Sequence, residues 1–423
     1  MEQAQQAPLL PRRKYGRSTS QSNDELCSFR LCLKWVCVDQ GGFWGALTSW
    51  ALFLLLAVIV PVISHFVLSY SPTRRAFDSV VELSLTGAAA LSYYTLARFL
   101  RRYGLRRFLA LDKVYSESDR IRLGYTTQLN RSFRLLSYLV MPCFFLETVY
   151  RIWWYWTGVG RVPFVGNAIA TDAAACALEL ASWMYRTGLF FLVCVLFRLT
   201  CYLQILRLQD FAAVFEEESE VELVLREHLR IRRQLKVISH RFRAFIVCFL
   251  ALVTASQFAA LILTTRPHAA VNFFNAGELA LCSVGLVIGL LVCLRSAAKI
   301  THQAQAITSH AAKWHVCATI ESFETDPETP TCPISIVQAV NDVDQESEEE
   351  SYDDDELDNT KLVQPRANTI SFQKRQALVT YLENNKAGIT VFGFVLDRAW
   401  LHTIFMVQLT LFLWVLGKTI GIS

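Results

Sequence analysis

Several kinds of chemistry leave no mark in this sequence. It has no Gly-rich phosphate loop, no G-x-S-x-G turn and no C-x-x-C pair, the local signatures of nucleotide binding, acyl transfer and dithiol redox work. Its eight histidines are scattered, and His302, His310 and His315, the nearest to a cluster, do not share one helix face, which excludes a helical zinc site. The acidic residues lack the Asp-x-Asp-x-Asp-Gly spacing of a calcium loop. Residues Leu9–Ser22 are basic and Ser-rich with no apolar core or small-residue cleavage site, so they are not a signal peptide. No enzymatic activity, cofactor, metal or nucleic-acid partner is expected.

Charge is the other scarcity. Only 18% of the 423 residues are charged against 53% hydrophobic, mean hydropathy is +0.31, and the apolar residues come in long blocks between charged ones. Soluble proteins distribute their apolar residues through shorter elements with period 2 or 3.6. The pattern therefore predicts an all-α membrane protein in contact with the lipid bilayer, with seven spans at Phe43–Tyr70, Phe77–Arg98, Phe133–Thr157, Ala168–Arg198, Phe242–Thr265, Val271–Leu294 and Gly393–Ile420. Lys and Arg concentrate in the N-terminal tail and in the second and fourth connections, whereas the first, third and fifth carry only Arg74 and Arg75, Arg161, and Arg266. Basic connections stay cytosolic, so the N-terminus is expected inside and the C-terminus outside. All twelve cysteines then fall in spans or on the cytosolic side, against a disulfide-bonded outer domain.

The external connections are short, so whatever is sensed or moved is handled inside the bundle. The cytosolic ones read as long helical extensions. Val224, His228, Ile231, Leu235, Ile238 and Phe242 form a heptad seam leading into the fifth span, the sixth runs on through Arg295–Thr319, and Ser371–Lys386 forms a helix before the last. Four regions result: a cytosolic tail over 1–42, spans one to six with their extensions over 43–320, a disordered acidic insert over 321–366, and a helix plus the seventh span over 367–423.

Ionisable residues inside hydrocarbon are costly and therefore mark functional candidates. Glu82, Glu147, Glu179 and Glu278 fall in the outer halves of four different spans, with Arg151 one turn from Glu147 and Arg186 two turns from Glu179. With Tyr150, Trp153, Trp183 and Gln257 they are candidates for a ligand pocket opening outward; the competing readings are mutual neutralisation of packed helices and, for the tryptophans, an interfacial belt. Gly285 and Gly289 form a small-xxx-small face, which marks close helix packing.

The last span carries a resemblance. Phe394, Asp397, Arg398 and Leu401 match the F-x-h-(N/D)-R-x-x-L stretch that opens the final span of the insect gustatory and odorant receptor superfamily, and the chain as a whole resembles the plant gustatory-receptor-like group. The resemblance implies a homotetrameric ligand-gated cation channel, with last spans lining one pore and a pocket for a small ligand within spans two to six. Val407, Thr410, Trp414, Gly417 and Lys418 form the pore-facing stripe on this reading, with Gln408 on a neighbouring face. Where the family has Thr-Tyr, five apolar residues and then Gln-Phe, the chain has Thr410-Leu411 and then Gly417-Lys418, so the Tyr and the Gln are both missing, and a Lys at the outer mouth opposes cation conduction. A non-conducting scaffold and a small-solute transporter are the alternatives. The membrane is expected to be the plasma membrane or an internal one such as the vacuolar membrane.

Overall fold

A computed structural model describes residues 43–69, 77–108, 119–157, 168–214, 221–265, 273–324, 372–385 and 387–420. The tail cysteines, the acidic insert beyond residue 324 and the short connections 70–76, 158–167 and 266–272 lie outside these residues.

The chain is helical almost throughout. Helix α1 (Phe43–Phe53) passes through a π-helical segment, Leu54–Ile59, into α2 (Val60–Ser69). There follow α3 (Asp78–Phe108), α4 (Asp119–Trp156), α5 (Ala168–Val214), α6 (Val221–Thr264), α7 (Phe273–Glu324) and α8 (Phe372–Asn384). A two-residue antiparallel hairpin, β1 (Thr390–Val391) and β2 (Phe394–Val395), leads to α9 (Arg398–Ile420). Among the described residues, five helical stretches are long and apolar enough to cross a membrane: Trp44–Phe66, and stretches within α4, α5, α6 and α7. Their length and composition make this an integral membrane protein.

Two compact units divide the chain. The first comprises Met1–Leu206, Leu235–Thr301 and Ile389–Ser423. Its centre is α5, where Leu189 to Phe197 are each no more than 5% exposed. A helix apolar on every side is one buried on every side. Against it, α7 brings Gly289 so close to Phe190 that a Cβ there would run into the ring, while Gly285 lies at ordinary contact distance from Phe191. The small-xxx-small face is thus a packing device for α5 aromatics. By contrast α4 exposes Tyr138, Met141, Phe145, Leu146 and Val149, an apolar face suited to lipid.

The second unit comprises Arg207–Gln234 and His302–Gly388. Phe211, Val224, Ile231, Ile307, Leu378 and Leu382 are buried in it. His228 sits between rings, 6.3 Å from Phe211 and 5.7 Å from Tyr381, and Arg232 donates to Asn385 Oδ1 at 2.9 Å. Of the heptad seam, all but Ile238 are fully buried, and the helix runs without a break into its apolar half.

Two expectations about span boundaries change. The first span is not one regular helix: backbone bonding shifts to the wider π pattern over Leu54–Ile59, just ahead of Pro61. The last helix, expected from Gly393, begins at Arg398, because Phe392 (φ 49°) and Gly393 (φ 92°) turn the chain left-handed and close the hairpin. Phe394 therefore belongs to a strand, not to the last helix.

Candidate functional site

A charged side chain within an apolar helix is tolerated when another helix supplies its counter-charge. Here α4 places Arg151 one turn after Glu147, and the same guanidinium gathers carboxylates from α3, α5 and α7. Its Nε donates to Glu147 Oε1 at 2.5 Å, Nη1 to Glu179, and Nη2 to Glu278 Oε1 at 2.9 Å, with Glu82 at 3.9 Å. Arg186 of α5 holds Glu82 through Nη1. Glu147, Arg151, Glu179, Arg186 and Glu278 are buried, and Glu82 keeps 15% side-chain exposure. Asp78 joins the edge of the group, with one carboxylate oxygen each from Asp78, Glu82 and Glu278 lying within 4.8 Å of one another.

Hydroxyls tie the first span to this network. Pro61 has no N–H to offer the preceding turn, and the carbonyls of Leu56 and Ala57 instead accept from Ser182 Oγ of α5 at 2.6 Å and Thr86 Oγ1 of α3 at 3.2 Å. Neighbouring-helix Ser and Thr are the usual remedy for backbone groups freed inside a membrane. Both remedies lead to Arg186, which donates to Thr86 Oγ1 at 3.2 Å and to the Ser182 carbonyl at 3.4 Å. Ser64, one turn past Pro61, donates to Glu179.

One turn inward lies a cavity of about 20 Å³. Leu85, Cys143, Trp183 and Cys282 line it, each three or four residues from a network carboxylate on the same helix: Glu82, Glu147, Glu179 and Glu278. Thr187, Phe190 and Phe191 of α5 complete one side. No network carboxylate lines the cavity itself, but Cys282, which does, stands in the field of Glu278, Arg186, Glu82 and Glu147.

The six ionic residues singled out in the sequence therefore converge, and Trp183 joins them through the cavity. Tyr150 and Trp153 do not enter it; Trp153 is 40% exposed and makes ring contacts with Tyr150 and Trp154. Gln257 is fully buried on α6 and belongs to no contact of the network. Sequence reasoning missed Ser64, Thr86, Thr187 and Ser182; only Pro61, which frees a carbonyl, pointed toward such partners.

In the last helix Asp397 is the N-cap: its Oδ1 accepts from Arg398 N at 2.7 Å and its carbonyl from Leu401 N at 3.1 Å. Val407, Thr410 and Trp414 are exposed, and Gly417 is half-buried. Gln408 does not share that face. It is buried and donates to Thr254 Oγ1 of α6 at 2.8 Å, a contact between helices. Lys418 lies within α9, its side chain outside the described part.

Long apolar helices enclosing a buried carboxylate–guanidinium network define a polytopic helical membrane protein with a polar site inside its bundle. The chain belongs to the family described as "protein of unknown function (DUF3537)", whose model matches residues 24–407. No curated protein matches it. Three solved chains do, among them the insect olfactory receptor OR5 from Machilis hrabei, at 11% identity and a TM-score of 0.48 over 92% of this chain and 98% of that one.

Proposed function

We propose that this protein is a ligand-gated, channel-like receptor, assembled as a homotetramer with α9 of each copy facing a shared axis. Seven spans, an inner N-terminus and a small-ligand pocket beneath the Glu–Arg network belong to the same reading. The observation that carries it is the asymmetry of α9. Gln408 fixes one side of the helix to α6, while Val407, Thr410 and Trp414 are exposed on another side in the single chain. A helix face carrying a Thr and a half-buried Gly is poorly matched to hydrocarbon alone and suits contact with further copies or water. The motif at Phe394, Asp397, Arg398 and Leu401 agrees with it. A ligand would act by binding one arrangement of the bundle more tightly than the other.

Mass measurement on the detergent-solubilised protein is the test. Four copies per particle are expected; a stable monomer overturns the pore, because one chain supplies a single lining helix. Lys418 favours a second reading, a non-conducting assembly of the same architecture, which predicts the tetramer without current.

A further inference from the structure

Three basic side chains of α6 stand one turn apart where that helix changes from polar to apolar. Lys236 and His240 are exposed and Arg243 is half-buried, and among the described residues none of the three meets a carboxylate. Steps of four and three keep them on one helix face, which Ala244, Val247 and Ala251 continue as an exposed apolar stripe. The hairpin is fixed beside it, Thr390 N donating to Ser239 Oγ at 3.1 Å. Phe392 there holds a φ of 49°, uncommon for a bulky residue, yet its ring is 60% exposed, so burial does not account for the turn. What the turn achieves is a ring 5.1 Å from the Arg243 guanidinium, followed in the chain by exposed Phe394 and Trp400, 6.3 Å from each other. Exposed rings beside cations, where apolar helices begin, are the composition of a membrane–water interface. Phe99 of α3 packs 5.0 Å from Phe242, which puts the exposed Arg98 at the same level on another helix.

We propose that this face of α6 binds one anionic glycerophospholipid from the bilayer leaflet that meets the helix's polar half. Lys236, His240 and Arg243 donate to its phosphate oxygens, the Phe392 ring seats the Arg243 guanidinium, and one acyl chain lies along Ala244, Val247 and Ala251. Charge and polarity together name the occupant: a neutral lipid leaves the basic row unanswered, and a free phosphate leaves the apolar stripe bare. The inference goes beyond the receptor reading and does not depend on it.

Purified full-length protein in a neutral detergent is titrated with dioleoylphosphatidic acid, with dioleoylphosphatidylcholine, and with water-soluble glycerol 3-phosphate, and bound molecules are counted by native mass spectrometry. The expected result is saturable binding of a single phosphatidic acid per chain, and no saturable binding of the other two. Lys236→Gln combined with Arg243→Gln should raise the half-saturating concentration about twentyfold, and Lys236→Gln alone about fivefold, so the test stands even if the double variant does not fold. Phe392→Gly, which adopts the positive φ freely and removes the ring, should weaken binding about threefold. Arg98→Gln removes a cation at the same level outside the site and should bind as the parent does. Equal binding of phosphatidylcholine, saturation by glycerol 3-phosphate, phosphatidic acid adding without saturation, indifference to the charge variants or to Phe392→Gly, or a loss in Arg98→Gln as large as in Lys236→Gln overturns the proposal.

Discussion

Arg151 shows how much one side chain can organise. Its planar guanidinium offers five N–H donors in a fixed fork, and with three of its nitrogens it engages carboxylates from its own helix and two others. Such residues were legible in the sequence because a Glu or Arg inside an apolar run stands out. Their hydroxyl partners were not. Thr95, Thr148 and Thr254 donate to carbonyls of their own helices, and nothing local distinguishes them from Thr86, which reaches across to Ala57. His228 poses a residue-scale question outside the apolar segments. Burial, and secondarily the nearby Arg232, pushes its pKa down from 6.5 to about 4. The unfolded chain therefore binds the proton more readily than the folded one, and stability contributed by neutral His228 is present above pH 6.5 and is lost as pH falls from there toward about 4. The protection factors of the α8 amides, exchange rates corrected for their intrinsic pH dependence, should fall between pH 7 and pH 5 in the parent but not in His228→Phe; an equal fall in both would assign the effect to another group.

At the scale of elements, the departures from the sequence reading sit where backbone geometry changes without a strong compositional cue. The hairpin turns on Phe392-Gly393, not on the Asn-Gly pair that usually announces such a turn. Positive φ at a bulky aromatic is uncommon. Here Phe392 lies under the Arg243 guanidinium at 5.1 Å, and Thr390 N donates to Ser239 Oγ at 3.1 Å, so contacts from α6 hold the turn in place. The π segment has only Pro61 as its sign. Because Pro61 withholds an N–H and Thr86 answers the Ala57 carbonyl, the two residues should be energetically coupled. Thr86→Val is expected to lower stability by about 1–2 kcal/mol, and by less than half as much in a Pro61→Ala background, where a backbone donor is restored. Thermal unfolding of the four proteins closes this cycle; equal costs in both backgrounds would mean that Thr86 serves Arg186 alone.

At the scale of the molecule, the succession of apolar blocks was readable because bilayer thickness fixes helix length, and the long polar extensions because their seam keeps a heptad spacing into the membrane. How the helices sort around α5 was not readable, since Leu, Val and Phe face lipid and core alike; only packing reveals that Leu189–Phe197 is enclosed while α4 is bare on one side. Among the described residues, polar contacts to α6 and α7 join the last helix and its hairpin to this arrangement. Ile389 N donates to Thr301 Oγ1 at 3.4 Å, Thr390 N to Ser239 Oγ, and Gln408 to Thr254. Its docking is thus written on α6 and α7 rather than in the peptide that leads to it, which makes it a detachable part. Residues 1–324 and 367–423, expressed together as separate polypeptides, should associate in the membrane and co-purify on a tag carried by either. Substituting Ser239→Ala with Thr301→Val should sharply reduce the recovered pair, whereas undiminished recovery would show that hydrophobic contact alone seats the helix.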